Sequence, residues 1–577
     1  MRLLKLSANR DSFRVVEFNR TGLTLIVGKK SNPDDRDRGH STNGVGKSLL
    51  LFLVNFCLGS AKSDELQEHL PDWEFTLDYE YESQPHSVTR STDTQDTVVL
   101  DGVPITLDEY RTKLGSQLFG IGEEPIKYLT FRTLISLFLR QGKPAYVSYE
   151  TSAKNERGYS KQLRAAYLLG LNANLVDRKR ELKEEKDRIK DIRGQFKKDS
   201  LLRDYFLGDK DAGLELKDLE EETARLEAEA TGFRVAENYE EVTLKHDTVR
   251  RKWRQANNEL SSLKSALRQI AKSLTEQPDI STADIAKVYK EAEVSLPNAL
   301  VKQLSDVESF HEQLTESRIL RLTNEKHAIE RRVAELGIEI ELLNSQKDEY
   351  YQFLGSHGAL NEYETLLNTL ADRRQLAAKL REFQELKKTC DDRWQRNKLE
   401  MSEETIRTSE YLEAAEALTD TISERFRSMA RRIWPTKTSG LIIENNDKDN
   451  LIRFDIDARI EGDASDGTAE SKIFCFDMTV LLEGQSHSVG FLMHDNRLYP
   501  GIDPRQRAEL FRVASELCEK HDCQYIASLN EDNLTAMSDI MNAEEYDSLL
   551  TSKVRLNLMD DSDTGKLLGI TVDLKYG

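Results

Sequence analysis

The chain has 577 residues, too many for one ordinary hydrophobic core, so several structural units are expected. Charged residues make up 32% and aromatic residues 7%, a composition that favours long solvated helices over one large globular core. The net charge of -20 argues against a uniformly basic nucleic-acid binder, although local basic stripes remain compatible with it. The five scattered cysteines form no CxxC pair and no segment resembles a signal peptide or a membrane span, so we expect a soluble, cytoplasmic protein without a disulfide framework.

The first candidate elements are the apolar run Leu23–Val27, which predicts a strand, and Leu49–Leu58, which predicts a helix. Between them lies a glycine-rich loop with the sequence Ser41-Thr-Asn43-Gly44-Val-Gly46-Lys47-Ser48. A strand, a glycine loop and a helix in this order are the setting of a P-loop, whose backbone N–H groups hold phosphates. The predicted nucleotide-binding residues of this loop are Asn43, Gly44, Gly46, Lys47, Ser48 and Leu49.

Two side chains of the loop have predicted chemical roles. Lys47 is expected to reach the terminal phosphates, and Ser48 is expected to bind Mg²⁺. The motif departs from the usual P-loop pattern at its first position, where Ser41 stands in place of glycine. The polar insert before it, Lys29–His40, is expected to be a surface loop. Residues 1–171 are therefore predicted to form the first half of an ATP-binding α/β head.

The middle of the chain predicts a long antiparallel coiled coil. In the first arm, residues 172–276, the apolar seam is Val242, Val249, Trp253, Ala256, Leu260, Leu263, Leu267 and Ile270. In the second arm, residues 313–434, the seam is Ile319, Leu322, Ile329, Val333, Leu336, Ile340, Leu343 and Tyr350. Seams of this spacing with charged flanks are typical of coiled coils, and a helical bundle is the alternative. Pro278 and Pro297 mark residues 277–312 as the tip where the chain turns back.

The C-terminal segment, residues 435–577, returns to an α/β pattern. Its predicted strands are Gly440–Glu444, Leu451–Ile456 and Ser488–Met493. A coiled-coil hairpin brings residue 170 next to residue 435, so the two α/β segments are expected to form a single head. The predicted fold is therefore an α/β P-loop head assembled from the N- and C-terminal segments and split by a long antiparallel coiled coil.

The glycine loop resembles the Walker A motif of SMC, SbcC and RecN ATPases, whose ABC-type heads are also split by a coiled coil. Three further stretches fit that family: Phe138–Gly142 resembles its Q-loop, Phe491–Asp495 its Walker B strand and Gly501–Asp503 its D-loop. The resemblance implies ATP and Mg²⁺ as cofactors, bound in a homodimer between the P-loop of one subunit and the signature region of the other. The implied metal ligands are Ser48, Gln141 and Asp495.

The main departure from that family concerns catalysis. Asn496 stands where the family has the glutamate that polarises the attacking water, and an amide is a very poor proton acceptor. The predicted catalytic residues Lys47, Asp495 and Asn496 are therefore expected to bind ATP well and to hydrolyse it slowly. If the alignment shifts by one residue, Asp495 becomes the base and His494 takes the metal position.

Two other motifs of the family are replaced. The LSGGQ signature is absent, and Ser465 and Gly467 occupy its expected place before a helix whose N-terminus could hold a phosphate. The switch histidine is also absent, and Ser528 and Asn530 stand there instead. The implied nucleotide-binding residues outside the P-loop are Gln141, Ser465, Gly467, Asp503 and Asn530.

Together with Phe310, His311, Leu314 and Arg318 near the tip, this weakened site is similar to the SMC-like ATPases of prokaryotic three-component defence systems of the Lamassu type. That resemblance implies a small adaptor subunit and an effector, often a nuclease, controlled by an ATP-bound DNA sensor. The absence of CxxC at the tip separates the chain from SbcC-type proteins with a zinc hook. A repair ATPase like SbcC or RecN and an ATP-locked coiled-coil scaffold are the alternative functions.

Basic residues cluster where the predicted arms leave the head, and such clusters can neutralise DNA phosphates without reading sequence. Acidic residues interleave with them, so a solvated helix surface is the alternative. The predicted contacts to double-stranded DNA are Arg178, Lys179, Arg180, Arg425, Arg431 and Arg432.

Overall fold

The computed structural model describes residues 1–30, 44–122, 126–153, 155–198, 202–208, 210–232, 237–275, 299–354, 359–462 and 465–572. Two compact units divide the chain, the first built mainly from Met1–Glu185 and Lys398–Gly577 and the second mainly from Lys186–Ala292 and Gln303–Asn397. Each unit draws on two stretches of chain that are distant in sequence. Ser41, Asn43 and the tip prolines Pro278 and Pro297 lie outside the described residues.

The strands all lie in the first unit. They are β1 (Arg2–Ala8), β2 (Val16–Glu17), β3 (Gly22–Lys29), β4 (Glu74–Tyr81), β5 (Gln84–Ser91), β6 (Thr97–Leu100), β7 (Val103–Thr106), β8 (Ser439–Asn445), β9 (Phe454–Ile460), β10 (Phe491–His494), β11 (Gln524–Asn530) and β12 (Val554–Met559). The order β2-β1-β4-β5-β6-β7 makes an antiparallel sheet, β10-β11-β3-β12 makes a parallel sheet, and β8-β9 is a hairpin. The prediction of a strand over Leu451–Ile456 is correct only from Phe454 onward.

The parallel sheet joins the two ends of the chain. Strand β3, from the N-terminal segment, pairs with β11 and β12, both from the C-terminal segment, with Leu25 opposite Ala527 on one side and Val554 on the other. The apolar residues Leu23, Leu25, Ile26 and Val27 are fully buried, as expected for a parallel strand covered on both faces. Both segments therefore contribute to one sheet of the first unit, which neither segment could build alone.

The helices cover both units. They are α1 (Lys47–Cys57), α2 (Asp64–His69), α3 (Leu107–Phe119), α4 (Phe131–Ile135), α5 (Gly158–Leu168), α6 (Ala173–Lys198), α7 (Arg203–Leu207), α8 (Ala212–Gly232), α9 (Glu237–Thr275), α10 (Ala299–Leu354), α11 (Ala359–Ala414), α12 (Glu416–Ile433), α13 (Asp466–Glu483), α14 (Pro504–Lys520), α15 (Glu531–Thr535) and α16 (Ala543–Leu549). In the described ranges, none of them has the length and apolar character needed to cross a membrane.

In the second unit, α9 and α10 run antiparallel and pack through the predicted seam. Ala256 of α9 is buried against Leu336 and Leu343 of α10, and Arg332 forms an ion pair with Glu259 at 2.8 Å. Ile319, predicted to belong to the seam, is 46% exposed, so the buried seam is shorter than predicted. Heptad spacing is a local property of one helix, whereas burial requires a partner opposite each position.

Candidate nucleotide-binding site

The glycine loop has the backbone geometry of an anion-binding turn. Gly44 (φ 94°) and Gly46 (φ 107°) are both left-handed, and α1 begins directly afterwards at Lys47. The helix has no side-chain cap and no acidic residue in its first turn. The first N–H groups of a helix have no acceptor within it, so the N–H groups of Lys47, Ser48 and Leu49 suit a phosphate. Asn43, predicted to bind beside them, lies outside the described residues.

Replacing Gly46 with alanine is expected to destabilise the fold strongly. A Cβ at this position would lie 2.5 Å from Cβ of Leu567, whose backbone N–H donates to the carbonyl of Val45, and φ would remain left-handed. We expect a loss of more than about 2 kcal/mol in the free energy of unfolding. Gly44→Ala is the matched control, since Gly44 has a similar φ but no atom of the described residues within 4 Å of an added Cβ. Urea denaturation in which both variants lost equal stability would contradict the steric argument.

Lys47 is almost completely buried, with 7% of its surface exposed. Burial lowers the pKa of its ammonium from 10.5 to about 8, against the opposing effect of the nearby carboxylates Asp495 and Asp560. Lys47 therefore carries a desolvated positive charge. Such a charge interacts strongly with an anionic ligand.

The low pKa of Lys47 predicts how nucleotide affinity depends on pH. A bound phosphate requires the protonated ammonium, and the ligand-free lysine loses its proton as the pH rises through about 8. We expect the ATP affinity to fall about tenfold between pH 7 and pH 9. Calorimetric titration at several pH values measures this change, and an affinity that stays constant to pH 10 would contradict the assignment of Lys47.

Asp495, at the end of β10, lies directly against the P-loop. Its Oδ2 accepts a hydrogen bond from the Ser48 hydroxyl at 2.7 Å, and its Oδ1 accepts from the Ser528 hydroxyl at 2.8 Å. The four residues of β10 before it are fully buried, which fixes the direction of the carboxylate. The structure thus joins two predicted metal ligands from opposite ends of the chain.

The pair formed by Ser48 and Asp495 fits Mg²⁺. This ion takes oxygen ligands at about 2.0–2.1 Å in octahedral geometry, which places neighbouring ligand oxygens about 2.9 Å apart. The 2.7 Å separation of the Ser48 and Asp495 oxygens is close to that value. A hydroxyl and a carboxylate are oxygen ligands of the kind that Mg²⁺ takes, and the ammonium of Lys47 suits a phosphate.

Gln141 lies two residues after Leu139, which forms an isolated parallel bridge with Met493 of β10, two residues before Asp495. The Gln141 Oε1 atom accepts a hydrogen bond from Asn55 of α1 at 2.6 Å. The side chain of the third predicted metal ligand is therefore held on the helix that carries Ser48.

Asn496 has a structural role that the sequence did not reveal. Its Oδ1 accepts hydrogen bonds from the backbone N–H of Asn530 at 2.9 Å and from the Asn533 amide at 3.1 Å. The Asn530 Oδ1 atom, by contrast, is buried and has no hydrogen-bond partner among the described residues. It is an acceptor available to a bound water or ligand.

A second group of predicted residues surrounds the N-terminus of α13. The Ser465 hydroxyl is 2.8 Å from that of Thr468, which accepts a hydrogen bond from Lys437 at 2.7 Å. Gly467 packs so closely that a Cβ there would lie 2.5 Å from the carbonyl oxygen of Gly501. Asp503 caps α14 by accepting from the N–H of Arg505. The signature-like and D-loop-like segments are thus neighbours.

Most of the predicted DNA-contacting residues are occupied by partners within the chain. Lys179 is 1% exposed, and its ammonium donates to Asn446 and to the carbonyl of Ile452, so it has no surface left for a phosphate. Four of the other predicted residues form ion pairs within the chain: Arg178 with Glu181 and Glu400, Arg180 with Asp177 and Glu184, Arg425 with Glu483, and Arg432 with Glu509 and Glu516. In the described ranges, Arg431 is exposed and makes no ion pair.

Two residues of the site escaped the sequence reasoning. Arg497, half-exposed, places its Nε 3.7 Å from the Asp495 carboxylate. Tyr146 accepts a hydrogen bond from the backbone N–H of Asp495 at 2.7 Å. Arg497 could have been predicted near the site, because it follows the Walker B-like carboxylate by two positions. Nothing in the sequence connects Tyr146 with Asp495.

Comparison with known proteins gives matches along most of the chain. A family described as an uncharacterised protein conserved in bacteria (DUF2326) matches residues 428–572. The uncharacterized protein YydD of Bacillus subtilis (strain 168) is 20% identical over 590 residues, covering 96% of each chain. The chain is also similar to the Smc head domain with a coiled coil and joint of Pyrococcus yayanosii, with 13% identity, coverage of 93% and 94%, and a TM-score of 0.36. It is likewise similar to the Smc head domain of Pyrococcus furiosus with an extended coiled coil, bound to the C-terminal domain of ScpA. Here the identity is 11%, the coverage is 93% of this chain and 92% of the other, and the TM-score is 0.33.

Proposed function

We propose that this chain is an SMC-like, ATP-binding protein whose two end segments form one ABC-type head. The observation that carries the proposal is the 2.7 Å contact between Ser48 of the glycine loop and Asp495 at the end of β10. The bound group would be Mg·ATP, in which the metal neutralises phosphate charge and polarises the terminal phosphate. Lys47 and the N-terminus of α1 would hold the phosphates, and Ser48, Gln141 and Asp495 would hold the metal.

The proposed site is completed by a second copy of the chain. Ser465 and Gly467 lie at the N-terminus of an 18-residue helix, α13, whose positive end suits a phosphate of the nucleotide bound by the partner subunit. Asn496 lacks a proton-accepting oxygen of carboxylate type, so slow hydrolysis would leave ATP-bound dimers long-lived. The ATP-locked state is then the active form of the protein.

The test is Mg²⁺-dependent ATP turnover by the purified chain, with and without linear duplex DNA, together with sedimentation velocity in each nucleotide state. We expect ATP-dependent dimers and slow turnover. Brisk turnover stimulated by DNA would favour a repair ATPase like SbcC or RecN. Dimers that form equally well without ATP would contradict the proposal.

We also propose that duplex DNA contacts the exposed face of α12. Arg427 and Arg431, four residues apart on this helix, are exposed and make no ion pair in the part of the chain that the structure describes. The double variant Arg427→Gln/Arg431→Gln is expected to weaken DNA binding and to reduce the salt dependence by about two phosphate contacts. Arg432→Gln is the matched control, since Glu509 and Glu516 occupy its guanidinium. A double variant with unchanged affinity across salt concentrations would exclude this face.

The tip-proximal residues and the weakened site resemble those of SMC-like ATPases from prokaryotic defence systems, and this resemblance supports a more specific proposal. In this proposal the ATP-bound dimer senses foreign DNA within a multi-component defence complex and controls an effector nuclease through a small adaptor subunit. Its test is reconstitution with the proteins encoded beside the chain. A nuclease whose activity depends on this chain, ATP and DNA would support the step, and independence from the chain would exclude it.

A further inference from the structure

A buried charged pair lies directly behind the proposed metal site. The Arg140 guanidinium donates from Nη2 to Asp477 Oδ1 at 2.7 Å and from Nε to Oδ2. Both side chains are completely shielded from solvent. The remaining N–H groups of Arg140 donate to the carbonyl oxygens of Ala145, Tyr149 and Thr151. Asp477 of α13 thereby fixes the loop that follows Gln141.

His494 extends this pair towards β11. Its Nε2 lies 2.9 Å from Asp477 Oδ2, and its Nδ1 lies 2.9 Å from the Tyr525 hydroxyl. A carboxylate can only accept, so Nε2 carries a proton, and in the neutral ring Nδ1 then accepts from Tyr525. The Tyr525 oxygen then accepts from the Tyr499 hydroxyl at 2.9 Å. The hydrogen-bonded row therefore connects α13, β10, β11 and the segment leading to Gly501.

The position of this row in the chain connects it with the metal ligands. Arg140 and His494 both bond to Asp477, and the residues that directly follow them are Gln141 and Asp495. Tyr146 adds a second connection, since its hydroxyl accepts from the N–H of Asp495 at 2.7 Å and donates to the carbonyl of Arg140 at 3.1 Å.

We infer that Asp477 and His494 are positioning residues, which orient Gln141 and Asp495 as ligands of Mg²⁺. The inference rests on the proposed function. Asp477 acts on both ligands at once, through Arg140, the residue before Gln141, and through His494, the residue before Asp495. Asp477 also belongs to α13, whose first turn contains Gly467, so the helix proposed to face the partner's nucleotide is joined to the metal ligands of its own site.

The chemistry of the row argues against a purely packing role. A buried ion pair with a hydrogen-bonded histidine costs more desolvation than apolar residues of similar volume, which would fill the same space at least as stably. The fork of Arg140 and the two ring nitrogens of His494 instead specify direction as well as distance. Such directional contacts are what a metal ligand pair needs, because Mg²⁺ tolerates little deviation from octahedral geometry.

The experiment compares the affinity for a fluorescent ATP analogue in Mg²⁺ with the affinity in EDTA. A residue that positions the metal ligands affects the affinity in Mg²⁺ only and so changes the ratio of the two affinities, whereas a purely structural residue affects both. His494→Leu removes both hydrogen bonds, whereas His494→Gln keeps one donor and one acceptor. Thr479→Val is the matched control, a buried substitution on the same helix whose hydroxyl bonds only within α13. We expect His494→Leu to lower the Mg²⁺-to-EDTA affinity ratio at least tenfold with little change in EDTA. His494→Gln should restore most of the ratio, and Thr479→Val should match the parent.

Several results would overturn the inference. One is a folded His494→Leu protein with the parental ratio, and another is an equal loss of affinity in Mg²⁺ and EDTA. If His494→Leu does not fold, Tyr525→Phe replaces it, because this change removes the hydroxyl bonded to Nδ1 of His494; the expected drop in the ratio is about threefold or more, and an unchanged ratio there has the same meaning. A parent chain that binds no ATP would contradict the proposed function itself, which distinguishes the two failures.

Discussion

Replacing Lys47 with methionine is expected to abolish Mg²⁺-dependent ATP binding and, at the same time, to make the folded chain more stable. The affinity should fall at least 100-fold, because methionine has no charge to replace the buried ammonium beside the P-loop amides. The gain in stability follows from burial, which lowers the pKa of Lys47 from 10.5 to about 8. That difference corresponds to about 3 kcal/mol of unfavourable free energy in the folded state at neutral pH.

The pH dependence of the free energy of unfolding tests the same effect in a second way. Between pH 8 and pH 10.5 the unfolded chain binds more protons at Lys47 than the folded chain, so the free energy of unfolding should rise with pH in this range. Lys47→Met should lack this rise, and the two proteins should approach equal stability at high pH. Urea denaturation at pH 7 and pH 9.5 provides the measurement, with the exposed Lys62→Met as control. A variant that binds ATP normally, or that is less stable than the parent at pH 7, would falsify the assignment.

Replacing Asn496 with glutamate is expected to raise ATP turnover about 10- to 100-fold. The substitution supplies a carboxylate base beside Asp495, where the chain has an amide. It also moves the oxygen that accepts from Asn530 and Asn533 by one methylene, which disturbs these hydrogen bonds, so we expect a loss of about 1–2 kcal/mol in stability. The measurement is steady-state phosphate release at saturating Mg·ATP.

Asn496→Gln separates the two effects of that change. Glutamine has the length of glutamate without its basicity, so it should cause a similar loss of stability and no gain in turnover. Equal gains with both substitutions would mean that chain length rather than proton acceptance limits the reaction. No gain with glutamate would mean that Asn496 lies outside the path of the attacking water.

The local parts of the fold were predictable from sequence because their signals are local. The apolar run Leu23–Val27 lies within β3, and the seam residues Ala256 and Leu336 are buried as their spacing indicated. The family motifs resembled by the glycine loop and by Phe491–Asp495 implied that Ser48 and Asp495 share one metal, and the structure places their side chains 2.7 Å apart. In each case, periodicity or motif order carried the information.

Contacts between distant residues were not predictable in this way. Arg140 and Asp477 are 337 positions apart, and neither has a neighbour in sequence that indicates the other. In the sequence, Lys179 belongs to a basic cluster and was predicted to contact DNA. In the structure it is buried and donates to the carbonyl of Ile452, just before β9 of the hairpin. Composition alone does not distinguish a solvated lysine from a buried one. The close approach of Leu567 to Gly46 depends on tertiary packing in the same manner.

The most direct test of the central claim is calorimetric titration of the unmodified chain with ATP, in Mg²⁺ and in EDTA. If Ser48, Gln141 and Asp495 form a metal site beside the P-loop, one ATP should bind each chain with micromolar affinity or better, and EDTA should weaken binding at least tenfold. Absence of binding, or binding of equal strength with and without Mg²⁺, would contradict an ABC-type nucleotide site built from the two ends of this chain.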